Sequence, residues 1–306
     1  MDLSVIIVSY NTRELLRGCL SSVLSTLSSP LNYEVIVVDN ASTDGSTAMV
    51  QDSFPQALVI VNEENRGFAA ANNQAMGKSI GRHVMLLNSD TVVTEGALEG
   101  MVRFMEEHAE VGVVGPKLLF PDGRFQHSAF TFPTLPMIFF DFFPINHRLT
   151  SSRLNGRYPR ALYDAGDPFP IDHPLGAGLM VRRRVIEEVG MLDEDFFMYC
   201  EEIDWCLRTK SARWQIFCFP CAEIVHYVGQ SAKQFQSRMF VELHKSRYRL
   251  YEKHYSRSFA RVARWLVLLG LTYRGLRDRW ALWRGRLNRG ALEDRLDAYR
   301  QVRLLS

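Results

Sequence analysis

The sequence predicts an α/β protein, a mostly parallel sheet with flanking helices, followed by a basic helical appendage. Three observations predict it. Short apolar runs alternate with helix-period segments through the first third of the 306 residues, the rhythm of repeated βα units. The runs are nearly unbroken Val, Ile and Leu, as strands buried on both faces require. Charge, finally, divides the chain: Gln236 to Ser306 holds 17 Lys/Arg against 6 Asp/Glu, net +11, leaving net −9 for residues 1–235. Two parts with different work are expected, residues 1–235 and 236–306.

Taken in order, Val5–Val8 reads as a strand followed by a helix over Glu14–Leu27. Val35–Val38 precedes Thr43–Ser53, Leu58–Val61 precedes Phe68–Lys78, and Val84–Leu87 precedes Gly96–His108. A strand and loops are expected from Val111 to Thr134, with turns at Gly115-Pro116 and Pro121-Asp122-Gly123. The aromatic run Leu135 to Ile145 falls in a stretch read as irregular as far as Pro174; compact domains keep loops of that length for lids or binding segments. The run reads equally as a plug on the core and as an exposed contact for an acceptor or a membrane. Gly176–Arg182 returns as a strand, Arg184–Val189 as a helix, and a further strand ends at His226. In the tail, Phe259 to Leu287 places Val262, Leu266, Leu276, Trp280 and Trp283 at helical spacing among arginines, read as two helices broken near Gly270 and Gly275. Basic amphipathic helices with Trp lie in a bilayer interface, so an anionic membrane surface is an expected partner of this tail.

Several classes are excluded. The first strand exit, Ser9 to Glu14, has no glycine and so no G-x-G-x-x-G, and no P-loop glycine-lysine pattern occurs anywhere. A nucleotide held in this sheet must be gripped by side chains. Five cysteines are too few and too irregular for a disulfide framework, and Cys218 and Cys221 read as core thiols on a buried strand. Met1 to Ser4 lacks the basic region of a secretory signal, and no apolar run approaches the ~20 residues that span a bilayer. The expected location is cytoplasmic, peripheral on the inner face of the membrane, with no nucleic-acid partner.

In open sheets of this kind ligands bind beyond the carboxyl ends of the strands. Those ends are polar here: Ser9-Tyr10-Asn11, Asp39-Asn40, Asn62 to Phe68, and Asn88-Ser89-Asp90. Any one of them reads equally as a turn or an N-cap; four together point to a site. Asp90 can reach a hard divalent cation bridging phosphate oxygens, and an imidazole such as His226 with one carboxylate leaves room for substrate oxygens and water in an octahedral shell, although a lone His after an apolar strand reads more often as a hydrogen-bonded structural group. Glu201, Glu202 and Asp204 crowd three carboxylates beside Phe196, Phe197 and Trp205. Mutual repulsion and apolar surroundings raise pKa values and suit one of them to general-base work. The competing reading is a solvated, acidic helix start.

The blocks Ser4–Asn11, Val37–Ser42, Asn65–Ala75 and Leu86–Asp90 resemble glycosyltransferase family 2. Pro116–Leu119, Gly176–Arg182, Phe196–Trp205 and His226 with Gly229 and Ser231 are similar to its rhamnosyltransferase-like and galactofuranosyltransferase-like branch. The resemblance covers about residues 3–235. It implies a GT-A fold, a nucleoside-diphosphate sugar donor, inversion at the anomeric carbon and a divalent metal, Mg2+ or Mn2+. Tyr10 and Asp39 match base-binding positions, with Asn65, Asn72, Asn88 and Asp90 completing the nucleotide-sugar set. Asp90 and His226 match metal positions, and Glu202 the catalytic base, flanked by Glu201 and Asp204. Two departures stand out: the D-x-D motif is reduced to Asn88-Ser89-Asp90, and the usual Asp of the Glu-Asp motif is Glu202. The expected role is transfer of one sugar, a deoxyhexose such as rhamnose, to a glycan or lipid-linked acceptor in cell-surface polysaccharide synthesis. The rivals are a sugar nucleotidyltransferase, which would want a glycine- and arginine-rich phosphate loop near the N-terminus, and a non-catalytic glycan- or nucleotide-sugar-binding module, which would not hydrolyse a donor.

Overall fold

The computed structural model of the chain describes residues 1–27, 31–143, 146–227 and 236–305. Ile145 of the aromatic run, and Gly229 and Ser231 beyond His226, lie outside the described residues. The first part alternates as expected: β1 (Leu3–Ser9), α1 (Arg13–Thr26), β2 (Tyr33–Asp39), α2 (Ser46–Ser53), β3 (Leu58–Val61), α3 (Phe68–Met76), β4 (His83–Asn88), a short β5 (Thr91–Val93) and α4 (Ala97–Glu107). Then follow β6 (Val111–Leu119), β7 (Phe125–Gln126), β8 (Ala129–Phe130), α5 (Leu135–Phe142), α6 (His147–Thr150), α7 (Arg160–Asp164), β9 (Phe169–Pro170), β10 (His173–Pro174), β11 (Gly178–Arg182), α8 (Arg183–Val189), α9 (Glu201–Ser211) and β12 (Gln215–His226). Three helices close the chain: α10 (Gln236–His254), α11 (Arg257–Trp283) and α12 (Arg289–Leu304).

The main sheet runs β3-β2-β1-β4-β11-β6-β12-β5, with β7 on β6 and β9 on β12. β1 pairs in parallel with both β2 and β4, and Val5, Ile6 and Ile7 are fully buried on both faces. Helices α1 and α4 supply Leu16, Leu20, Met101 and Met105 to the core with Val5, Ile7, Val35 and Val37. Two departures from the expected pattern have physical causes. β11 is antiparallel to β4 and β6, because the connection after β10 delivers the chain to the carboxyl end of β4 and sends it back. β3 is not buried: as the edge strand it leaves Leu58 and Val61 about half exposed.

The chain divides into two compact units. One is Met1–Thr131, Tyr158–Phe197 and Glu201–Ser231; the other is Phe132–Arg157, Met198–Cys200 and Ala232–Ser306. The second unit corrects the sequence reading in two places. The aromatic run is a helix, α5, started by a proline in its first turn, and the stretch to Pro174 carries further short elements where irregular chain was expected. Ile138 and Phe142 are its buried side chains, while Phe139, Phe140 and Phe143 are half-buried. The tail helix is continuous through Gly270 and Gly275. Glycine weakens a helix by only about 1 kcal/mol relative to alanine, so it need not break one, and Gly270 has a packing reason: a Cβ there would overlap the Phe142 ring. Asp141 meets Arg247 at 2.6 Å, and Arg274 donates to the Asp141 carbonyl oxygen, tying α5 to α10 and α11. Of Cys218 and Cys221, both read as core thiols, Cys218 is buried and Cys221 is exposed.

The two tail glycines should separate on substitution. Gly270→Ala should cost roughly 1–3 kcal/mol by overpacking although alanine is the better helix former. Gly275→Ala, whose Cβ would meet Leu296 at an ordinary 3.7 Å, should be neutral or stabilising by up to about 1 kcal/mol. Thermal denaturation of both variants checks the pair.

Candidate active site

The register of three parallel strands assembles the first half of the site. Ser9 is level with Asp39 across β1 and β2, and Val8 is level with Asn88 across β1 and β4. The strand order reverses at β1, which lies between β2 and β4, and a crevice opens beyond such a switch point. Asp39 is almost fully buried; its Oδ1 accepts from the Ser42 N–H at 2.8 Å, while its Oδ2 is buried without a hydrogen-bond partner. An unpartnered carboxylate oxygen in a crevice is an acceptor awaiting a donor. Tyr10 is half-buried next to Asn11, whose backbone is left-handed (φ 53) and whose side chain accepts from the Thr43 N–H at 2.8 Å. The Thr12 hydroxyl bridges Ser9 and Ser89 at 3.0 and 2.9 Å, joining the ends of β1 and β4.

Asn65 and Asn72 have shaping work. Asn40 donates to Asn65 Oδ1 at 2.9 Å and to the Gly67 carbonyl at 3.1 Å, and Asn65 Oδ1 also accepts from the Gly67 N–H. Gly67 is left-handed (φ 82), and a Cβ there would stand 2.7 Å from Phe197 Cδ2. The Phe68 N–H donates to the Phe197 carbonyl at 2.7 Å, so the loop after β3 lies against the segment leading to α9. Asn72 is buried in α3, donating to the Phe68 carbonyl at 2.9 Å.

The second half arrives by an antiparallel pairing. β12 runs beside β5 with His226 level with Thr91, and the Tyr227 N–H donates to the Asp90 carbonyl at 2.9 Å. That pairing sets His226 Nε2 3.4 Å from Asp90 Oδ1, both side chains nearly buried. Among the described residues no group of three or more His, Cys, Asp or Glu converges on one point. The donor set on offer to a cation is therefore one carboxylate and one imidazole, which fits a divalent ion that takes its remaining ligands from diphosphate oxygens and water. Gln126 places its side-chain amide 3.1 Å from His226 Nδ1. As placed, the amide Nε2 faces Nδ1, so its N–H donates to Nδ1 and the ring proton sits on Nε2 toward Asp90; binding a metal at Nε2 requires the reversed amide, with Nδ1–H donating to its oxygen. Gln126 escaped the sequence reading because the β6–β7 hairpin that carries it reaches His226 only through the pairing of β6 with β12.

The carboxylates open α9, which the chain enters through Tyr199 and Cys200, two left-handed non-glycine residues (φ 70 and 68). Such backbone costs on the order of 1–3 kcal/mol per residue and persists where the surroundings over-determine it. Asp204 is fully buried and meets Arg208 Nε at 2.8 Å, the i+4 cation its spacing anticipates, while Arg208 also donates to the carbonyls of Val189 and Met191. Glu201 is buried, with Oε2 lacking a hydrogen-bond partner; burial first, and the Glu202 charge second, hold its carboxyl well above the ordinary carboxylate range. Glu202 is only half-buried and lies over Gly176, its Oε1 3.8 Å from where a Cβ would stand. The next carbonyl, that of Ala177, accepts from the Asn88 N–H at 3.0 Å. Gly176 and Ala177 thus link Glu202 to the end of β4, from far along the chain.

Residues 4–190 match the family model described as glycosyl transferase family 2. The chain belongs to that family. This glycosyltransferase is 26% identical over 288 residues to an N-acetylglucosaminyl-diphospho-decaprenol L-rhamnosyltransferase of Mycobacterium tuberculosis, covering 89% of this chain and 91% of the relative. It is 24% identical over 270 residues to a low-salt glycan biosynthesis hexosyltransferase of Haloferax volcanii, covering 85% and 79%. It stands in the rhamnosyltransferase-like branch. Its fold is GT-A-like: it is similar to the mannosyltransferase of Pyrobaculum calidifontis solved with GDP-Man and Mn2+ (TM-score 0.58, 17% identity, 99% of this chain and 83% of that one). GalNAc-T7 solved with UDP, GalNAc and Mn2+ is a second neighbour (TM-score 0.60, 16% identity, 82% and 48%).

Glu201 yields a pH test of this enzyme. Its folded pKa is raised, so the native state holds its proton more tightly than the unfolded chain does. The associated stability is fully present below the ordinary value near 4.5 and is lost as pH rises through the folded value, at about 1.4 kcal/mol per unit of separation. Glu201→Gln removes that loss. Its Tm should match wild type near pH 4 and exceed it increasingly as pH rises; a pH-independent difference would contradict the burial argument.

Proposed function

We propose that this glycosyltransferase moves one sugar, a deoxyhexose such as rhamnose, from a nucleoside-diphosphate donor to a hydroxyl of a glycan or lipid-linked acceptor in cell-surface polysaccharide synthesis. The observation that carries the reading is the approach of Asp90 and His226 at the end of β4, with Glu202 over Gly176, whose neighbour Ala177 bonds to Asn88. Residues 1–235 serve as the catalytic domain and 236–306 as a basic tail that keeps the enzyme at the cytoplasmic face of the membrane. The likeness to a relative named for a decaprenol-linked substrate supports a lipid-borne acceptor.

Each residue has a share of the chemistry. The free Oδ2 of Asp39 takes an N–H of the base, and Tyr10 lies beside it at the end of β1. Asp90 and His226 hold a divalent ion, Mg2+ or Mn2+, against the diphosphate. When bound, that ion neutralises charge developing on the leaving group. Glu202 accepts the acceptor hydroxyl's proton as its oxygen attacks the anomeric carbon; the bond from that carbon to the diphosphate oxygen breaks, and the diphosphate departs with the electron pair. Attack opposite the leaving group inverts the anomeric centre. Glu202 suits this work because it lies over Gly176 and is not fully buried, whereas Asp204 is committed to Arg208 and Glu201 is buried.

A thermal-shift panel of nucleoside-diphosphate sugars, with and without Mn2+, identifies the donor, since a ligand of the native state raises apparent stability. With the donor in hand, Asp90→Ala and His226→Ala should each abolish the Mn2+-dependent part of the shift and of transfer, while Asp39→Ala should chiefly raise the donor Kd. Full transfer by Asp90→Ala in chelator would remove the metal from the mechanism. A protein that neither transfers sugar nor hydrolyses any donor it binds would be a binding module.

Glu202→Gln keeps the shape of the side chain and removes the proton acceptor. Donor affinity should persist while kcat falls by roughly 10²–10⁴. Near wild-type turnover in Glu202→Gln, with collapse in Asp204→Asn, would move the base to Asp204.

A further inference from the structure

The exposed side of α11 is apolar in a way its own unit does not use. Val262, Trp265, Leu269, Tyr273, Leu276, Trp280 and Trp283 are between 42% and 77% exposed. At about 100° per residue all seven fall within an arc of about 80°. The residues α11 buries, Ala263, Val267, Gly270, Leu271, Gly275 and Asp278, occupy the opposite side. From Val262 to Trp283 the stripe is about 32 Å long at ~1.5 Å per residue. Single exposed apolar residues are ordinary; a continuous row of this length marks an interaction face.

Charge identifies what covers it. Arg261 and Arg279 lie along one edge of the stripe and Arg277 and Arg284 along the other by the same helical count, all four exposed. The Arg284 guanidinium sits over the Trp280 and Trp283 rings at 4.9 and 5.5 Å. Asp278 is the single acid of the helix, and it is buried against Arg295 at 3.1 Å and the Tyr299 hydroxyl at 2.8 Å. An isologous pairing of two copies along this stripe would set arginine edge against arginine edge whichever way the helices ran, since no acid stands on either edge to answer them. An anionic lipid surface answers both features: headgroup phosphates meet the two arginine rows while the Trp and Leu side chains enter the acyl boundary. No helix among the described residues is long and apolar enough to cross a membrane, so the stripe meets the bilayer lying flat.

We infer that the Val262 to Trp283 face of α11 is a docking surface for an anionic bilayer, with the helix parallel to the membrane plane. This deepens the proposed membrane location of the tail and is separable from the catalytic reading, because vesicle binding needs no donor. The full-length protein is mixed with vesicles of phosphatidylglycerol and phosphatidylcholine, or of phosphatidylcholine alone, some carrying brominated acyl chains, and bound protein is read by co-sedimentation and tryptophan quenching. Binding to the anionic vesicles with quenching is expected, weakened by salt. Leu269→Glu with Leu276→Glu, both exposed and outside the sugar-transfer site, should reduce vesicle affinity at least about tenfold while leaving Tm and donor hydrolysis in solution unchanged. Arg277→Gln with Arg279→Gln should cost roughly fivefold per arginine on anionic vesicles only, at ~1 kcal/mol each. Equal binding to neutral vesicles, or none to anionic ones, overturns the inference. A lipid-free dimer that the Leu269→Glu, Leu276→Glu variant dissociates also overturns it, in favour of a protein interface. Absence of transferase activity with vesicle binding intact would count against the catalytic reading alone.

Discussion

Everything in the candidate active site depends on one pairing choice, that β1 accepts β2 on one side and β4 on the other, both in parallel. A parallel ladder sends every strand's carboxyl end to the same edge of the sheet. Helices α1 and α2, which follow β1 and β2, pack together on the face that carries Val5, Ile7, Val35 and Val37, whereas α3, which leads into β4, stands outside that cluster; the connections part where the strand order reverses and leave space above β1. Ser9, Asp39 and Asn88 come to that edge by register alone, without long side chains reaching across the protein. Polar groups are tolerated there because Thr12 spans Ser9 and Ser89 and because Asn40 gathers Asn62, Asn65 and the Gly67 carbonyl. These bonds satisfy the loop's own needs and leave Asp39 Oδ2 over.

Closure of the other half uses antiparallel chain. β12 is parallel to β6 but antiparallel to β5, so a strand that begins at the far side of the sheet finishes beside Asp90. The Tyr227 N–H to Asp90 carbonyl bond fixes the backbones, and the 3.4 Å separation of the two side chains follows from it. Nothing about this arrangement demands a three-ligand protein cage. A site with two protein ligands binds a bare ion weakly and an ion accompanied by a diphosphate well, which couples metal affinity to the presence of a donor.

The first half of the chain was legible in the sequence because it is local. Each βα unit announces its strand by Val and Ile and its helix by period, so β1 to β4 and α1 to α4 stand close to where the apolar runs placed them. Pairings between residues distant in the chain were not legible. Nothing in Gly178–Arg182 says that this strand runs antiparallel, and nothing in Gln126 says that its amide will meet His226. Gly176 could have been suspected, as a glycine just before a strand marks close approach, but the group approaching it, Glu202, is supplied by tertiary packing. In the tail the error was of another kind: Gly270 was read through its helix propensity when its neighbour Phe142 decides its use. The aromatic run was mistaken for loop for the same reason, since Phe139 to Phe143 have little helical preference of their own and are held helical by α11.

Three carboxylates within four residues would repel one another if all were equivalent, and α9 removes the equivalence by environment. Asp204 faces Arg208, which also caps the carbonyls of Val189 and Met191, so its charge is neutralised in place and pins the connection from α8. Glu201 turns into the protein, where desolvation pushes it toward its neutral form, and a neutral neighbour does not oppose charge on Glu202. Glu202, rotated by about 100° from Glu201 in the helix, is the one of the three that is not fully buried, and it lies over a glycine that leaves it room. The coupling also runs in reverse, since charge on Glu202 raises Glu201 further. The three acids thus divide by environment: Asp204 is paired with an arginine, Glu201 is buried and driven toward its neutral form, and Glu202 lies half-buried over Gly176.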